Sequence, residues 1–171
     1  MINGIYGFFG ENRFLSNFWY TEVEMDGEYY PSTEHAYQAA KTLDPDERRK
    51  FRFRISYFEN EPKERTPTCG EAKKMGSSLE EIRPDWEDVK VQIMTDLIRK
   101  KFKNSELREK LLSTGDLYLE ETNHWGDVFW GVCNGKGRNV LGNILMQIRD
   151  EMSPCSRVVS TSPRHGEEGG A

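Results

Sequence analysis

One short segment, residues 31–41, carries three side chains that could take part in acid–base or covalent chemistry. Its sequence is Pro-Ser-Thr-Glu-His-Ala-Tyr-Gln-Ala-Ala-Lys, which is typical of the first turns of a helix. At 3.6 residues per turn, Glu34, Gln38 and Lys41 would lie along one stripe, with Tyr37 beside it. A carboxylate, an amide and an amine aligned in this way would form one wall of an active site. A solvated polar face is the alternative interpretation of the same pattern.

A second segment, residues 124–139, holds four Gly, two Trp, one Asp and two cations, a composition that predicts an irregular loop. Asp127 would supply a carboxylate to a site in this loop, and Trp130 an aromatic face. The run Gly135-Lys136-Gly137 would offer backbone N–H groups and an amine to a phosphate, although its spacing is not that of a P-loop. Asn139 would cap a following helix, whose dipole favours an anion at its N-terminus.

Carboxylates beside aromatic faces and a phosphate-binding turn suit cleavage at the anomeric carbon of a phosphoribosyl group. The transition state resembles an oxocarbenium ion, so a carboxylate can stabilise its charge or activate water. A desolvated lysine such as Lys41 can instead form a Schiff base with the ring-opened sugar. Asn17 and Phe18 lie in a loop rich in aromatics and amides, which either packs inward or faces a ligand. Trp86 is either a core anchor or a pocket residue.

Several regular elements are expected to position these residues. Alternating apolar and polar residues on either side of Asp26-Gly27 predict a β-hairpin directly before residue 31. Apolar periodicity and capping residues predict helices at about 31–43, 44–55, 66–76, 83–102, 105–112 and 140–152, with Gly76 as a C-cap. Short strands are expected within residues 2–9 and 116–122.

The chain has 171 residues, which suits one domain with a real core. A net charge of −5 argues against a protein that coats nucleic acid. The most basic run, residues 48–54, is either a solvated helix face or a phosphate-facing patch. Three Cys are too few for a disulfide framework, and no spacing of His, Cys and Asp resembles a metal site.

The sequence pattern predicts neither a signal peptide nor a membrane-spanning segment. Residues 1–6 lack the basic and apolar regions of a signal peptide, and no apolar run approaches the roughly 20 residues that span a bilayer. We therefore expect a cytoplasmic protein, or a nuclear one in a eukaryotic host, with no membrane partner. After Ser153 the composition turns to Ser, Pro, Gly and charge, which predicts a disordered tail.

Five motifs, in this order along the chain, together resemble the NADAR, or YbiA-like, family over about residues 5–152. They lie at residues 14–18, 31–41, 72–76, 83–86 and 127–142. The resemblance implies a compact, single-domain, mainly α-helical fold with a few short β-strands (α+β), spanning residues 1–152 before a tail at 153–171. It also implies N-glycosidase chemistry on ribosylated bases, without a cofactor or a metal.

The resemblance further implies roles for individual residues. Glu34, Lys41 and Asp127 match the catalytic positions, Lys41 as the candidate Schiff-base residue. The substrate-binding positions would be Asn17, Phe18, Tyr37, Gln38, Trp86, Trp130, Gly135, Lys136 and Asn139. Among these, Asn17 would bind ribose, Trp130 the base and Lys136 the phosphate.

Of three functions, we expect the first, which makes the protein a hydrolase of N-glycosyl bonds, and the other two are alternatives. The first is hydrolysis of phosphoribosylamino-pyrimidine intermediates of riboflavin biosynthesis. The second is removal of ADP-ribose from guanine in DNA or RNA, in which case residues 48–54, or Lys73 and Lys74, should border the cleft. The third is non-catalytic binding of NAD or ADP-ribose.

Overall fold

A computed structural model describes residues 2–53 and 65–153 of the chain. Six α-helices lie within these ranges: α1 (Thr33–Ala39), α2 (Pro45–Arg49), α3 (Cys69–Ser77), α4 (Trp86–Lys101), α5 (Ser105–Ser113) and α6 (Val140–Met152). The strands of the same ranges are short: β1 (Gly4–Tyr6), β2 (Tyr20–Met25), β3 (Glu28–Ser32), β4 (Tyr118–Glu120), β5 (Thr122–Asn123), β6 (Val132–Cys133) and β7 (Lys136–Gly137). A 3₁₀ helix at Gly10–Leu15 follows β1.

The predicted hairpin is confirmed as the antiparallel pair β2–β3. Its turn residues Asp26 and Gly27 both have positive φ, 54° and 80°, as the tight two-residue hairpin turn requires. The hairpin delivers the chain to Ser32, whose side chain accepts a hydrogen bond from the backbone N–H of His35 and so begins α1.

Helix α1 lies at the centre of the fold, and all seven of its residues are buried. It contacts both strands of the hairpin, α3 and α4. Glu34 is only 6% exposed and Gln38 only 4%. The interpretation of this helix as a solvated polar face is therefore wrong, because the polar stripe faces the protein interior. The helix also ends at Ala39, earlier than the expected residue 43.

The core forms where the apolar stripes of α4 and α6 meet α1 and β4. Helix α4 contributes Met94, Leu97 and Ile98, each at most 2% exposed. Leu145 and Ile148 of α6 are fully buried beside them. Burial of this kind contributes roughly 1.5–3 kcal/mol for each large apolar side chain. The long helix predicted from residues 83–102 is thus confirmed in both position and buried face.

Two further predictions about helix ends are wrong. Helix α2 ends at Arg49 rather than near residue 55, and the last two residues of the predicted range, 54–55, lie outside the described part of the chain. Helix α3 runs through Gly76 to Ser77, so Gly76 is not a C-cap. Gly76 is instead fully enclosed, because a β-carbon at this position would lie 2.0 Å from the side-chain oxygen of Gln38.

The segment at residues 124–139 is irregular over residues 124–131, as its composition predicts, but its second half contains two short strands. Strand β6 pairs in parallel with β5 and antiparallel with β7. Asn134 and Gly135, at φ 50° and 73°, form the turn between β6 and β7. Strand β1 pairs in parallel with β4, which brings residues 4–6 beside residues 118–120.

Within the described ranges, no helix is both long enough and apolar enough to cross a bilayer. The tail predicted at 153–171 lies outside those ranges apart from Ser153.

Candidate active site

A cavity of about 580 Å³ opens beside the buried polar stripe of α1. It is bounded by the 3₁₀ helix and the loop after it, by α1, α3 and α4, and by the segment from β4 to Trp130. The lining residues are Phe8, Phe9, Gly10, Arg13, Ser16, Asn17, Phe18, Glu34, Tyr37, Gln38, Lys41, Lys73, Ser77, Trp86, Lys90, Met94, Glu121, Trp125, Asp127, Trp130 and Leu141.

Glu34 and Gln38 form the centre of the α1 wall. The side-chain amide of Gln38 donates a 2.8 Å hydrogen bond to the Glu34 carboxylate. Burial raises the pKa of Glu34 above its usual range, while the Gln38 hydrogen bond and the charges of Lys73 and Lys41 act in the opposite direction. The side-chain oxygen of Gln38 is buried without a hydrogen-bond partner, although it belongs to a residue of the cavity.

Lys41 lies just beyond the C-terminal end of α1 and also lines the cavity. Its amine lies 3.4 Å from the carbonyl oxygen of Gly76, to which it donates, and 6.0 Å from the centre of the Tyr37 ring. Burial lowers the pKa of Lys41 below the ordinary lysine range, which increases the fraction of neutral amine.

Asp127 faces α1 from the opposite wall and is held at both its backbone and its side chain. Its N–H donates to the side-chain oxygen of Asn123 at 3.1 Å, and its carbonyl accepts from the Asn123 amide at 2.7 Å. One carboxylate oxygen accepts from the backbone N–H groups of Phe129 and Trp130, at 3.0 and 2.9 Å. The carboxylate is therefore fixed in orientation before any ligand binds.

Tyr37 stands between the two tryptophans of the cavity wall. Its ring centre lies 5.0 Å from that of Trp86 and 5.5 Å from that of Trp130, in tilted and edge-on arrangements. Trp86 is only 8% exposed, so it serves both the core and the cavity. Three aromatic rings in one wall can pack against a planar base.

Asn17 and Phe18 reach the cavity from the loop that precedes β2. The Asn17 carbonyl accepts from the N–H of Glu34 at 3.1 Å, which ties this loop to the first turn of α1. Lys101 donates to the carbonyl of Ser16 at 2.7 Å and fixes the loop from behind. The side-chain oxygen of Asn17 is buried without a partner.

The structure does not bring Gly135, Lys136 or Asn139 to the cavity lining. Gly135 belongs to the turn between β6 and β7, and Lys136 is exposed in β7. This is a correction to the predicted placement, and its cause is the β-pairing that the composition of the segment concealed.

Asn139 occupies the residue before α6, but its side chain does not cap that helix. The side-chain amide donates to the carbonyl of Leu119 at 2.8 Å, and the side-chain oxygen accepts from the N–H of Glu121 at 3.0 Å. Asn139 therefore ties the start of α6 to the end of β4, outside the cavity.

Four charged residues of the lining are not among the site residues that the sequence predicts: Arg13, Lys73, Lys90 and Glu121. Glu121 follows β4, and its Oε2 atom is buried without a partner. Burial raises the pKa of Glu121 to about 7, and the neighbouring Asp127 adds to this effect. Glu120 and Glu121 are adjacent acids, and only the strand geometry shows which one faces the cavity.

The sequence predicted that, for a nucleic-acid substrate, either residues 48–54 or Lys73 and Lys74 would border the cleft. Lys73 lines the mouth of the cavity, whereas Lys74 does not.

Among residues 2–53 and 65–153, no group of three His, Cys, Asp or Glu side chains is placed to hold a metal ion.

Sequence comparison identifies the family to which this architecture belongs. The NADAR domain matches residues 7–153. N-glycosidase YbiA of Shigella boydii is 37% identical over 142 residues, which cover 81% of this chain and 81% of that protein. The chain therefore belongs to the NADAR family, as the ordered motifs predicted.

Structure comparison agrees with this assignment. The solution structure of the YbiA protein of E. coli superimposes with a TM-score of 0.73 at 32% identity, covering 96% of this chain and 94% of that one. The predicted α+β class with short strands is confirmed. A riboflavin biosynthesis protein of Vibrio vulnificus is 36% identical over 142 residues, and this chain spans only 35% of its length.

Proposed function

We propose that this protein is an N-glycosidase that hydrolyses the bond between a (phospho)ribosyl group and a base. Its substrates would be phosphoribosylamino-pyrimidine intermediates of riboflavin biosynthesis. The names of its relatives, N-glycosidase YbiA and riboflavin biosynthesis protein, support both the chemistry and the pathway. The structural observation that carries the proposal is the convergence of Glu34, Lys41 and Asp127 on one cavity with an aromatic wall.

The proposed mechanism places the planar base against Tyr37, Trp86 and Trp130. Cleavage of the glycosidic bond leaves positive charge on the sugar, which the carboxylates of Glu34 and Asp127 would stabilise from opposite walls. The unpartnered side-chain oxygens of Asn17 and Gln38 would accept hydrogen bonds from the ribose hydroxyls. Lys41 would act as a nucleophile toward the sugar or as its electrostatic partner.

The mouth of the cavity supplies cations for a substrate phosphate. Arg13, Lys73 and Lys90 belong to the lining and come from three different elements. The amine of Lys73 also lies 5.5 Å from the centre of the exposed Trp125 ring. In this proposal the phosphate binds at the mouth, in place of the turn at residues 135–137.

A panel of substrates tests the proposal directly. Purified protein is incubated separately with each aminopyrimidine phosphoriboside, with NAD and with DNA carrying ADP-ribosyl-guanine, and released base is measured by mass spectrometry. We expect release from the aminopyrimidine ribosides. Glu34→Gln and Asp127→Asn should each slow release by about 10²–10⁴-fold while the protein stays folded. Wild-type turnover in both variants would contradict the assignment of these residues.

One observation favours ADP-ribosylated nucleic acid as a second candidate substrate. Lys73 and the 60%-exposed Trp125 stand together at the mouth, where a base and a backbone phosphate could both bind. Such activity should fall steeply with salt, whereas that on a small riboside should not. The described part of the basic run gives no such support, because Arg48 and Arg52 pair with Asp26 and Glu28 away from the cavity. Tight binding of NAD without release of base would favour the non-catalytic alternative instead.

A further inference from the structure

Glu121 is the third carboxyl group of the cavity, after Glu34 and Asp127. It stands one residue beyond β4 and is fixed by its own backbone. Its N–H donates to Asn139 at 3.0 Å, and its carbonyl accepts from Val132 at 2.9 Å. Because the backbone of Glu121 is fixed on both sides, the position of its side chain in the cavity does not depend on a ligand.

The surroundings of Glu121 differ from those of the other two carboxyl groups. Glu34 receives a hydrogen bond from Gln38, and Asp127 receives two from backbone N–H groups. The Oε2 atom of Glu121 is buried and receives none. Hydrogen-bond donors stabilise a carboxylate, so a buried carboxyl oxygen without a donor favours the protonated acid. Carboxyl groups whose surroundings differ in this way commonly divide the acid and base roles of a reaction.

We infer that Glu121 is a catalytic residue: the general acid that protonates the departing base. This inference rests on the proposed N-glycosidase function. As the bond between the sugar carbon C1′ and the base nitrogen breaks, its electron pair goes to the nitrogen, which takes the proton of Glu121. Water then completes the reaction, either by direct attack or by hydrolysis of a Schiff base that Lys41 has formed with the sugar. In both cases the net result is a hydroxyl on C1′ and one proton passed to the Glu34 carboxylate. Exchange through the solvent returns that proton to Glu121, so both carboxyl groups regain their starting forms.

The charges that surround Glu121 agree with this role. Asp127, from the same wall, and Glu34, from α1, both favour its protonated form. Lys73 of α3 and Lys101 of α4 act in the opposite direction. Burial exceeds all of these effects and raises the pKa of Glu121 to about 7. A general acid is most useful with a pKa near the working pH, because it is then both protonated and able to release its proton.

The first test is the pH dependence of base release from an aminopyrimidine phosphoriboside. The wild type should lose activity as the pH rises above about 7, where Glu121 becomes ionised. Glu121→Gln should be about 10²–10³-fold slower and should lack this alkaline decline. Glu120→Gln is the matched control. The Glu120 side chain is next in sequence to Glu121, but it accepts a hydrogen bond from the Thr122 hydroxyl and does not line the cavity. This variant should keep the wild-type rate and pH profile.

The second test compares two leaving groups on the same sugar phosphate. From a 4-nitrophenyl riboside 5-phosphate, 4-nitrophenolate leaves with the bonding electron pair and needs no proton, so Glu121→Gln should slow this cleavage by less than about tenfold. A purely structural role for Glu121 would slow both substrates equally. If the wild type releases base while Glu121→Gln keeps the wild-type rate and pH profile, the general-acid assignment falls and the proposed function stands. If the wild type releases no base from any riboside, the proposed function falls, and this assignment with it.

Discussion

The side-chain amide of Gln38 donates to the carboxylate of Glu34 at 2.8 Å, one turn away on the same buried helix. Replacing Gln38 by Leu removes this donor while keeping similar bulk. Because the hydrogen bond lowers the pKa of Glu34 against the effect of burial, its loss should raise that pKa further. We expect at least a tenfold lower rate at neutral pH and an acidic limb of the pH–rate profile displaced to higher pH. An unchanged acidic limb would show that Gln38 does not control Glu34.

Gly76 determines where Gln38 can lie. A β-carbon at Gly76 would come within 2.0 Å of the Gln38 side-chain oxygen and 2.9 Å of its β-carbon. Gly76→Ala should therefore push Gln38 away from Glu34, lower the unfolding free energy by about 1–3 kcal/mol and reduce base release. Gly70→Ala in the same helix is the control, because no atom lies within 4 Å of its added β-carbon. That variant should keep full activity and be unchanged or slightly stabilised in urea titrations.

Asn123 holds Asp127 through its backbone, and the Asn123 side chain is fully buried. Its amide also lies 3.3 Å from the carbonyl oxygen of Val132, to which it donates. Asn123→Ala should leave buried backbone groups without partners and cost roughly 1–3 kcal/mol in stability. The rate of base release should fall at temperatures where the variant is still folded, because Asp127 loses its fixed orientation. Circular dichroism separates the two effects, and a stable, fully active variant would contradict this role for Asn123.

The part of the site that sequence predicts is the part built from local structure. Helical periodicity places Glu34, Gln38 and Lys41 on one stripe, and all three line the cavity. Ser32 begins that helix by an ordinary capping interaction. Trp86 is the first residue of a strongly patterned helix, and this position predicts that it lies at the edge of the core. The hairpin before α1 is equally predictable, because Asp-Gly between two segments of alternating apolar and polar residues strongly favours a two-residue hairpin turn.

The rest depends on contacts between distant segments, which a single sequence does not encode visibly. Glycine is required at position 76 because the Gln38 side chain packs against it, and Gln38 lies 38 positions earlier in the chain. Local sequence does not show this contact, and a glycine near the end of a helix predicts a C-cap instead. Likewise, Asn139 resembled a helix cap because the β4 segment that it actually bonds lies about 20 residues away. The sequence does not predict Glu121 as a site residue, because β4 has only three residues, too few for alternation to show which of two adjacent acids faces inward.

Glu121 also predicts how stability changes with pH. Its pKa in the folded protein, about 7, exceeds the usual value of 4.5. The folded state therefore binds more protons than the unfolded chain between those two values, and its unfolding free energy falls as the pH rises through that window. Glu121→Gln should remove this slope and exceed the wild type in stability by about 1–2 kcal/mol at pH 8, after allowance for solvent screening. Urea titrations at pH 5 and pH 8 measure the difference, and parallel behaviour of the two proteins would exclude it.

Lys41 poses the remaining question of mechanism, whether its amine bonds to the sugar. Burial lowers the pKa of Lys41, so more of the neutral, nucleophilic amine is present at neutral pH than at an exposed lysine. We expect borohydride to trap a reduced sugar adduct on Lys41 during turnover, located by peptide mass spectrometry. Lys41→Arg keeps the positive charge but cannot form a Schiff base, so it should lose at least a hundredfold in rate. If that variant stays active and no adduct forms, Lys41 contributes only its positive charge. The carboxylates of Glu34 and Asp127 must then support direct attack of water on the sugar.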